Sequence, residues 1–230
     1  MPSNVLVTSK SNLKFAKYLP FIVDYPIMVD EPPRTVWVED RKAQYWALGG
    51  GSVIDTAKML SGRKPCIAIP TTASGSACTS WAVVWGRDKM SVSCTKPILL
   101  ELYRKMDIKL SAKVADETYY DCLCHILDSR KSIKATPLSL SYCQIAEEYL
   151  HAWISSRKTH YLIDAGNYAG RAIEITGTNF YHAISYVLTL DYGLSHGEAL
   201  KEALNMNKKY DWNKIIEKAK KYDKFHEVGV

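Results

Sequence analysis

The spacing of hydrophobic residues changes near residue 105, and this change predicts two domains. Before it, short runs rich in β-branched residues alternate with glycine and proline turns, which is typical of buried strands. A helical pattern at 52–62 follows the third run and ends at Gly62. The predicted strands lie at 4–9, 26–30, 44–52 and 65–72. Strands alternating with helical connections favour an α/β N-terminal domain over residues 1–105, with a doubly wound parallel sheet.

After residue 105, hydrophobic residues recur at helical spacing over segments that are too long for strands. Pro137 opens one of these segments, and proline suits a first helical turn because that turn has no internal hydrogen bond to lose. The predicted helices lie at 116–130, 137–156, 158–175, 178–190 and 196–206. The pattern therefore predicts an all-α C-terminal domain over residues 106–230.

Composition fits a folded protein and excludes several classes of function. Of the 230 residues, 47% are hydrophobic and 23% are charged, so the chain can bury a sizeable core. The net charge of +6 is scattered, and the basic run near the C-terminus has the spacing of a solvated amphipathic helix, so no nucleic-acid partner is predicted. The six cysteines form no CxxC pair, and neither a signal peptide nor a membrane-length apolar run is present. A cytoplasmic protein with reduced thiols and no membrane partner is predicted.

A glycine-rich loop, "GGGSVID" at residues 49–55, follows the apolar run 45–48 and leads into a helix. Glycines carry no side chain to hold a phosphate away from the backbone, and a helix N-terminus offers free N–H groups and the positive end of its dipole. Gly50, Gly51 and Ser52 are therefore candidates for contacting a pyrophosphate. The alternative is a tight strand-to-helix turn that needs glycine at positive φ.

A second loop, "PTTASGS" at residues 70–76, also follows an apolar strand and carries several hydroxyl groups. Hydroxyls of Thr71, Thr72 and Ser74 would be able to hold a ribose or a phosphate of the same ligand. By itself a hydroxyl-rich loop is a weak signal.

Four residues in the helical domain suggest a metal site. Asp121 and His125 are one helical turn apart, so both side chains can face one cation. His182 lies on a later helix, and His196 follows a turn that contains Gly193. Three imidazoles and one carboxylate suit Fe²⁺ or Zn²⁺ and leave a coordination position open. Each histidine alone would more simply be a packed residue or a helix-end charge, and the other three are interpreted as surface residues: His151, His160 and His226.

Together these residues resemble the iron-containing (group III) alcohol dehydrogenases of the dehydroquinate synthase-like superfamily. The resemblance covers residues 44–200 and follows the stretches "ALGGGSVIDTAK", "IPTTASGS", "DCLCHILDS…KATPLS" and "YHAISYVLTLDYGLSHGEAL". In that family the α/β domain binds NAD(P) and the helical domain holds the metal. The resemblance implies a metal-dependent NAD(P)(H) oxidoreductase that interconverts a small alcohol and its aldehyde or ketone.

The resemblance also implies roles for single residues. Tyr186 stands four positions after His182, where members of the family often have a histidine or tyrosine that relays a proton, and packing is an equally good interpretation. The residues expected to contact the cofactor are Ser9, Lys10, Gly50, Gly51, Ser52, Asp55, Thr71, Thr72 and Ser74.

The residues after the first strand bear on which dinucleotide is used. Members that prefer NAD commonly carry an aspartate there, which accepts hydrogen bonds from the ribose and would repel a 2′-phosphate. This chain has Ser9 followed by Lys10, a hydroxyl donor next to an ammonium. NADP(H) is therefore expected in preference to NAD(H), with a solvated loop lysine as the alternative.

Two departures from the family pattern keep a second class of function open. Ala77 and Cys78 stand where an acidic residue is expected. The chain is also shorter than typical members, so a second subunit of a homo-oligomer would be able to complete the pocket. The alternative function is a dehydroquinate synthase-like cyclase or lyase, or a catalytically weak relative that binds nucleotide and metal. The Asp/His/His/His set favours the oxidoreductase, because dehydroquinate synthases use glutamate in place of the leading Asp-x-x-x-His pair.

Overall fold

A computed structural model describes residues 3–23, 25–35 and 43–222. The chain divides into two compact units, Met1–Lys109 and Leu110–Val230. In the part of the chain that the structure describes, no helix is both long and apolar enough to cross a membrane.

A five-stranded parallel sheet forms the centre of the first unit, as predicted. Its strand order is β2-β1-β3-β4-β7. The bounds are β1 Asn4–Thr8, β2 Ile27–Met28, β3 Gln44–Gly49, β4 Ile67–Pro70 and β7 Ile98–Leu99. The sequence patterns predicted four of these five strands and did not include β7. They also did not include β5 Trp81–Trp85 and β6 Lys89–Ser93, which pair as a separate antiparallel hairpin.

The strand order reverses direction between β1 and β3. From β1 the chain moves outward to β2, and it then returns past β1 to continue through β3 and β4. In open α/β sheets, ligands bind beyond the carboxyl ends of the strands at such a switch point. Ser9 follows β1 and the glycine-rich loop follows β3, so both predicted cofactor segments lie at this point of the sheet.

Helix α1, Gly51–Ser61, packs on the sheet with Val53, Ile54, Ala57 and Leu60 in the core. Its polar side also turns inward and holds a buried ion pair, in which Lys58 Nζ lies 3.1 Å from Asp55 Oδ1. Lys58 also donates to the loop that follows β4, at Ser76 Oγ, Thr79 Oγ1 and the Trp81 carbonyl oxygen. This network ties α1 to the second loop and to the hairpin.

The second unit is helical, as predicted, and its helices begin at residues that cap them well. Ser111 caps α2, and Thr136 and Ser195 form capping boxes for α3 and α6. Pro137 occupies the first turn of α3, as its fixed φ favours. The bounds are α2 Ala112–Lys131, α3 Pro137–Ser156, α4 Thr159–Thr176, α5 Phe180–Tyr192, α6 His196–Asn205 and α7 Trp212–Ala219.

The basic run near the C-terminus forms the amphipathic helix α7 over its described part. Ile215 and Ala219 are buried in a cluster with α5 and α6 residues, whereas the neighbouring lysines face outward. The pattern of a solvated helix with one apolar face is confirmed here.

Candidate metal centre and nucleotide-binding loops

The three glycines at the junction of β3 and α1 are explained by close approach of neighbouring side chains, which for Gly50 and Gly51 belong to the second loop. A Cβ atom at Gly50 would lie 3.0 Å from Thr72 Oγ1, and one at Gly51 would lie 3.2 Å from Ser74 Cβ. At Gly49 the clash would be with Val53, at 2.6 Å. None of the three has a positive φ, so the alternative of a turn that needs left-handed backbone is wrong. The glycines bring the second loop against the start of α1.

This junction contains a buried hydroxyl that has no partner among the described residues. Ser74 Oγ is shielded from solvent and makes no hydrogen bond. It lies 3.3 Å from the position of a Cβ at Gly51, beside the first turn of α1. The first N–H groups of a helix have no intrahelical acceptor and favour an anion. An unpartnered hydroxyl next to such N–H groups fits a pyrophosphate.

The other cofactor candidates lie in different surroundings. Both carboxylate oxygens of Asp55 are engaged, Oδ1 with Lys58 and Ser76 and Oδ2 with the backbone N–H of Val83. This set of partners gives Asp55 an internal role in holding the second loop, and its contact with a cofactor stays a prediction. Thr71 is buried, and its N–H donates to the Gly49 carbonyl at 3.0 Å, which joins the two loops.

The residues after β1 form a small polar turn. Asn12 Nδ2 donates to Ser9 Oγ at 2.9 Å, and the Ser9 and Ser11 hydroxyls are 3.1 Å apart. Lys10 is exposed at the same turn. An exposed ammonium beside a hydroxyl suits a solvent-facing phosphate, and this contact also stays a prediction.

The predicted metal residues come together in the second unit. Asp121 Oδ1 lies 3.3 Å from His182 Nε2, 3.4 Å from His125 Nε2 and 3.8 Å from His196 Nε2. In a tetrahedral site with metal–ligand distances of about 2.1 Å, neighbouring ligand atoms are roughly 3.4 Å apart. The ligand atoms of Asp121, His125 and His182 all lie within 4.8 Å of one another, which fits a divalent transition metal. His196 Nε2 faces the same Asp121 oxygen at the largest of the three separations and stands outside this compact group.

Helix α2 supplies two of these residues and a third that the sequence reasoning missed. Asp121, His125 and Asp128 are spaced by four and three positions, so they share one face of α2. Asp128 is fully buried, and its Oδ2 lies 2.8 Å from His182 Nδ1. The signal was present in the sequence, because Asp128 continues the helical spacing of the metal pair within "DCLCHILDS".

The rings of His125 and His182 stack face to face, with centroids 4.6 Å apart and planes inclined by 5°. This stacking keeps the two Nε2 atoms side by side. His125 Nδ1 is buried and has no hydrogen-bond partner among the described residues. Asp128 contacts Nδ1 of His182, on the edge of the ring opposite to Asp121. In both stacked rings, Nε2 is the nitrogen that faces Asp121.

His196 is held in place by the start of α6, which lies directly against α2. A Cβ atom at Gly197 would be 2.4 Å from Glu117 Cβ, so only glycine allows this approach. Ser195 Oγ donates to Glu117 Oε1 at 2.6 Å. On the other side, His196 Nδ1 lies 3.4 Å from Ser185 Oγ. These contacts direct His196 Nε2 towards Asp121.

Electrostatics in the metal-free centre favours an ionised Asp121. Burial alone would raise the pKa of this carboxyl group, but the adjacent imidazoles outweigh burial and hold the pKa at about 2. Burial lowers the pKa of His125 to about 4, so its ring is neutral at neutral pH. Burial acts in the same direction at His182, but hydrogen bonds to Asp121 and Asp128 overcome it and raise that pKa to about 10.

Tyr186 is buried on the same face of α5 as His182. Its hydroxyl lies 3.4 Å from Thr178 Oγ1, and its ring lies nearly parallel to that of His196, with centroids 6.1 Å apart. Tyr222 contacts it edge-on. Tyr186 therefore packs around the centre, and its role as a proton relay stays a prediction.

The remaining histidines lie away from the centre where the structure describes them. His151 is exposed, and His160 is half-buried beside Tyr161. His226 lies outside the described residues.

No family model matches the chain. The crystal structure of an iron-containing alcohol dehydrogenase superposes with a TM-score of 0.77 at 20% identity, over 99% of this chain and 87% of that one. The fold is that of the iron-containing alcohol dehydrogenases. The predicted resemblance is confirmed at this level.

Two of the proteins to which the chain is similar are named as reductases. Phosphonoacetaldehyde reductase of Streptomyces viridochromogenes is 29% identical over 208 residues, which are 72% of this chain and 52% of that protein. The structure of sulfoacetaldehyde reductase from Bifidobacterium kashiwanohense in complex with NAD⁺ has a TM-score of 0.71 at 21% identity, over 89% of this chain and 68% of that one. The chain spans about half the length of the curated relatives it matches.

Within this iron-containing alcohol dehydrogenase fold, the departure at Ala77 and Cys78 has a packing reason. Both side chains are buried, and they belong to a short 3-10 helix, Ser76–Cys78, that follows Gly75 in the left-handed conformation. An acidic side chain here would be buried beside the ionised Asp55–Lys58 pair. The loop is nevertheless fixed, because Ser76 Oγ donates to Asp55 Oδ1 at 2.5 Å.

Replacing Ser74 with alanine should weaken dinucleotide binding without destabilising the protein. The variant removes a hydroxyl that has no partner in the free protein, so the free energy of unfolding should stay equal or rise. Loss of one hydrogen bond to phosphate predicts roughly 2- to 10-fold weaker binding in calorimetric titration. Ser61→Ala is the matched control, because Ser61 Oγ is also buried and unpartnered but lies at the opposite end of α1. Equal affinities in wild type and Ser74→Ala would contradict the assignment.

Binding of a divalent metal should release about one proton per ion at pH 8, because a ligating imidazole must be neutral. His182 is the group that loses this proton, since its pKa of about 10 keeps it charged in the metal-free protein. Calorimetric titration with Zn²⁺ in buffers of different ionisation enthalpy measures the release. In the His182→Ala variant, any residual binding should release no such proton. A heat of binding that is independent of the buffer in the wild type would be the contrary result.

Proposed function

We propose that the chain is a metal-dependent NAD(P)(H) oxidoreductase that interconverts a small alcohol and its aldehyde or ketone. The observation that supports this most strongly is the approach of three imidazole Nε2 atoms to Asp121 Oδ1. Both reductases matched above are named for the reduction of an aldehyde. The same reaction class suits a centre of three nitrogens and one oxygen that keeps a position open for a substrate oxygen.

The centre would hold Fe²⁺ or Zn²⁺ through Asp121, His125, His182 and His196. Such an ion supplies Lewis acidity, which stabilises negative charge on an alcohol oxygen and polarises a carbonyl. The protein contributes the geometry and the charge balance. Asp121 is ionised at neutral pH and His125 is neutral, so both present lone pairs without a preceding proton loss. Burial of both side chains keeps competing water away from them.

The first unit would bind the nicotinamide dinucleotide at its topological switch point. The α1 N-terminus and Ser74 Oγ are the groups for the pyrophosphate, and Gly50 and Gly51 leave the space for it. Hydride transfer is the chemistry that this cofactor supplies. Because Asp55 and Lys58 hold the second loop from inside, they keep Ser74 beside α1 and contribute indirectly.

NADP(H) is the proposed cofactor in preference to NAD(H). Support comes from the turn after β1, where Ser9 Oγ and exposed Lys10 stand at the place that holds an acidic side chain in many NAD-specific proteins. A hydroxyl can donate to a 2′-phosphate, and an ammonium reduces its charge. NAD⁺ was bound in the sulfoacetaldehyde reductase structure, so members of this fold do accept NAD⁺.

Activity with simple alcohols tests the proposal directly. Metal-free protein supplemented with Fe²⁺ or Zn²⁺ should oxidise members of a panel of short-chain alcohols with NADP⁺, measured as the rise of NADPH absorbance. His125→Ala should lose this activity, whereas His151→Ala, an exposed histidine of α3, should keep it. Binding of NADPH and metal without turnover of any alcohol or aldehyde would favour the catalytically weak relative. Turnover that persists in metal-free protein would contradict the metal-dependent mechanism.

The same assay distinguishes the two dinucleotides. One charge-assisted hydrogen bond to the 2′-phosphate is worth about 1.5–3 kcal/mol, which predicts a preference for NADP⁺ on the order of ten- to a hundredfold. Ser9→Asp should move the preference towards NAD⁺. A wild type that prefers NAD⁺, or an unchanged preference in Ser9→Asp, would remove Ser9 from cofactor selection and leave the reaction class intact.

A further inference from the structure

Asp128 is a fully buried carboxylate and is not one of the four proposed metal ligands. It lies on α2, seven positions after Asp121, and none of its surface reaches solvent. Burial of an ionised carboxylate is unfavourable unless hydrogen bonds and charges compensate for it. The hydrogen-bond partners of Asp128 therefore indicate the role of this carboxylate in the structure.

Within the described part of the chain, the hydrogen bonds of its carboxylate go to the start of α5. Oδ1 accepts a hydrogen bond from the Tyr181 N–H at 3.0 Å, and Oδ2 accepts one from the Asn179 N–H at 2.9 Å. The His182 N–H is 3.4 Å from Oδ2. These N–H groups belong to the first turn of a helix, where they have no intrahelical acceptor and carry the positive end of the dipole. Asp128 thus caps α5 from another helix.

The same oxygen that caps α5 also contacts the ring of His182, at Nδ1, 2.8 Å away. A carboxylate only accepts hydrogen bonds, so His182 must keep a proton on Nδ1. With Nδ1 protonated, Nε2 is the nitrogen that can carry a free lone pair, and Nε2 is the atom that lies 3.3 Å from Asp121 Oδ1. The contact therefore fixes both the tautomer and the direction of the ring.

The other two histidines have weaker support of this kind. His196 Nδ1 faces the neutral hydroxyl of Ser185 at 3.4 Å, and His125 Nδ1 has no hydrogen-bond partner among the described residues. Among the Nδ1 contacts described for the three rings, the one with a carboxylate is that of His182. Since α5 carries His182 and α2 carries Asp121 and His125, this contact sets the distance between the ligands of two helices.

We propose that Asp128 is a positioning residue of the metal centre, which orients His182 Nε2 towards the ion by holding its Nδ1–H and the first turn of α5 with one carboxylate. The inference rests on the proposed metal site. It assigns no direct contact with metal, cofactor or substrate to Asp128.

Cobalt binding to Asp128→Asn tests this role. Asparagine has nearly the same shape, but only one of its two terminal groups can accept hydrogen bonds, so the ring or the helix start loses its partner. Affinity for Co²⁺, measured by competition with a chelator, should fall by about 10- to 100-fold. The visible spectrum of bound Co²⁺ should change as well, because a misdirected imidazole alters the ligand field. Asp164→Asn, at another buried aspartate of the same unit on α4, is the control and should keep wild-type affinity and spectrum.

A double variant separates positioning from a general effect on the fold. In a His182→Ala background, Asp128→Asn should no longer change the affinity for Co²⁺, because there is no ring left to orient. An unchanged affinity and spectrum in Asp128→Asn, or the same loss of affinity with and without His182, would overturn the proposal. Absence of Co²⁺ binding by the wild type would overturn the metal site itself.

A measurement on metal-free wild-type protein covers the case in which Asp128→Asn does not fold. Nuclear magnetic resonance should show a His182 Nδ1 proton that exchanges slowly with solvent, because it is buried and bonded to a carboxylate. Rapid exchange of this proton in the folded wild type would contradict the contact with Asp128, whether or not the protein binds a metal.

Discussion

The second unit is organised by the need to compensate carboxylates that are partly or fully buried on one face of α2. Glu117, Asp121, His125 and Asp128 follow one another at helical spacing along this face, and Asp128 has no access to solvent. A buried carboxylate without partners would be strongly destabilising. The groups that donate hydrogen bonds to these carboxylates come from the starts of α5 and α6. Compensation of the carboxylates therefore fixes where α5 and α6 lie against α2, and with them the histidines of the metal centre.

Two helix starts meet carboxylates on this face of α2. Asp128 accepts hydrogen bonds from the first turn of α5, and Glu117 accepts one from Ser195, the residue that caps α6. Negative charge next to a helix N-terminus is stabilising. Each contact also places a histidine, because His182 lies in the first turn of α5 and His196 is the first residue of α6. Asp128 therefore caps α5 and places His182 directly, whereas Glu117 acts on His196 through Ser195, the residue that caps α6.

Local sequence patterns predicted the helical unit and the parallel sheet, because capping residues and hydrophobic spacing act over a few neighbouring residues. The metal residues were also predictable from the sequence, because Asp121 and His125 are spaced to share one face of a helix. Asp128 was missed because its meaning depends on α5, more than 50 residues further along the chain. The local sequence also did not reveal why Gly50 and Gly51 must be glycine. Thr72 and Ser74 approach these two positions only in the folded protein.

The coordination shell of the bound ion distinguishes whether Asp121, His125, His182 and His196 together hold one metal ion. X-ray absorption spectroscopy of the zinc-loaded protein should show about three imidazole nitrogens and one protein oxygen at roughly 2.0–2.2 Å. His196→Ala should lose one imidazole from this shell. A shell of oxygen atoms without imidazole, or a spectrum unchanged by His196→Ala, would contradict the account.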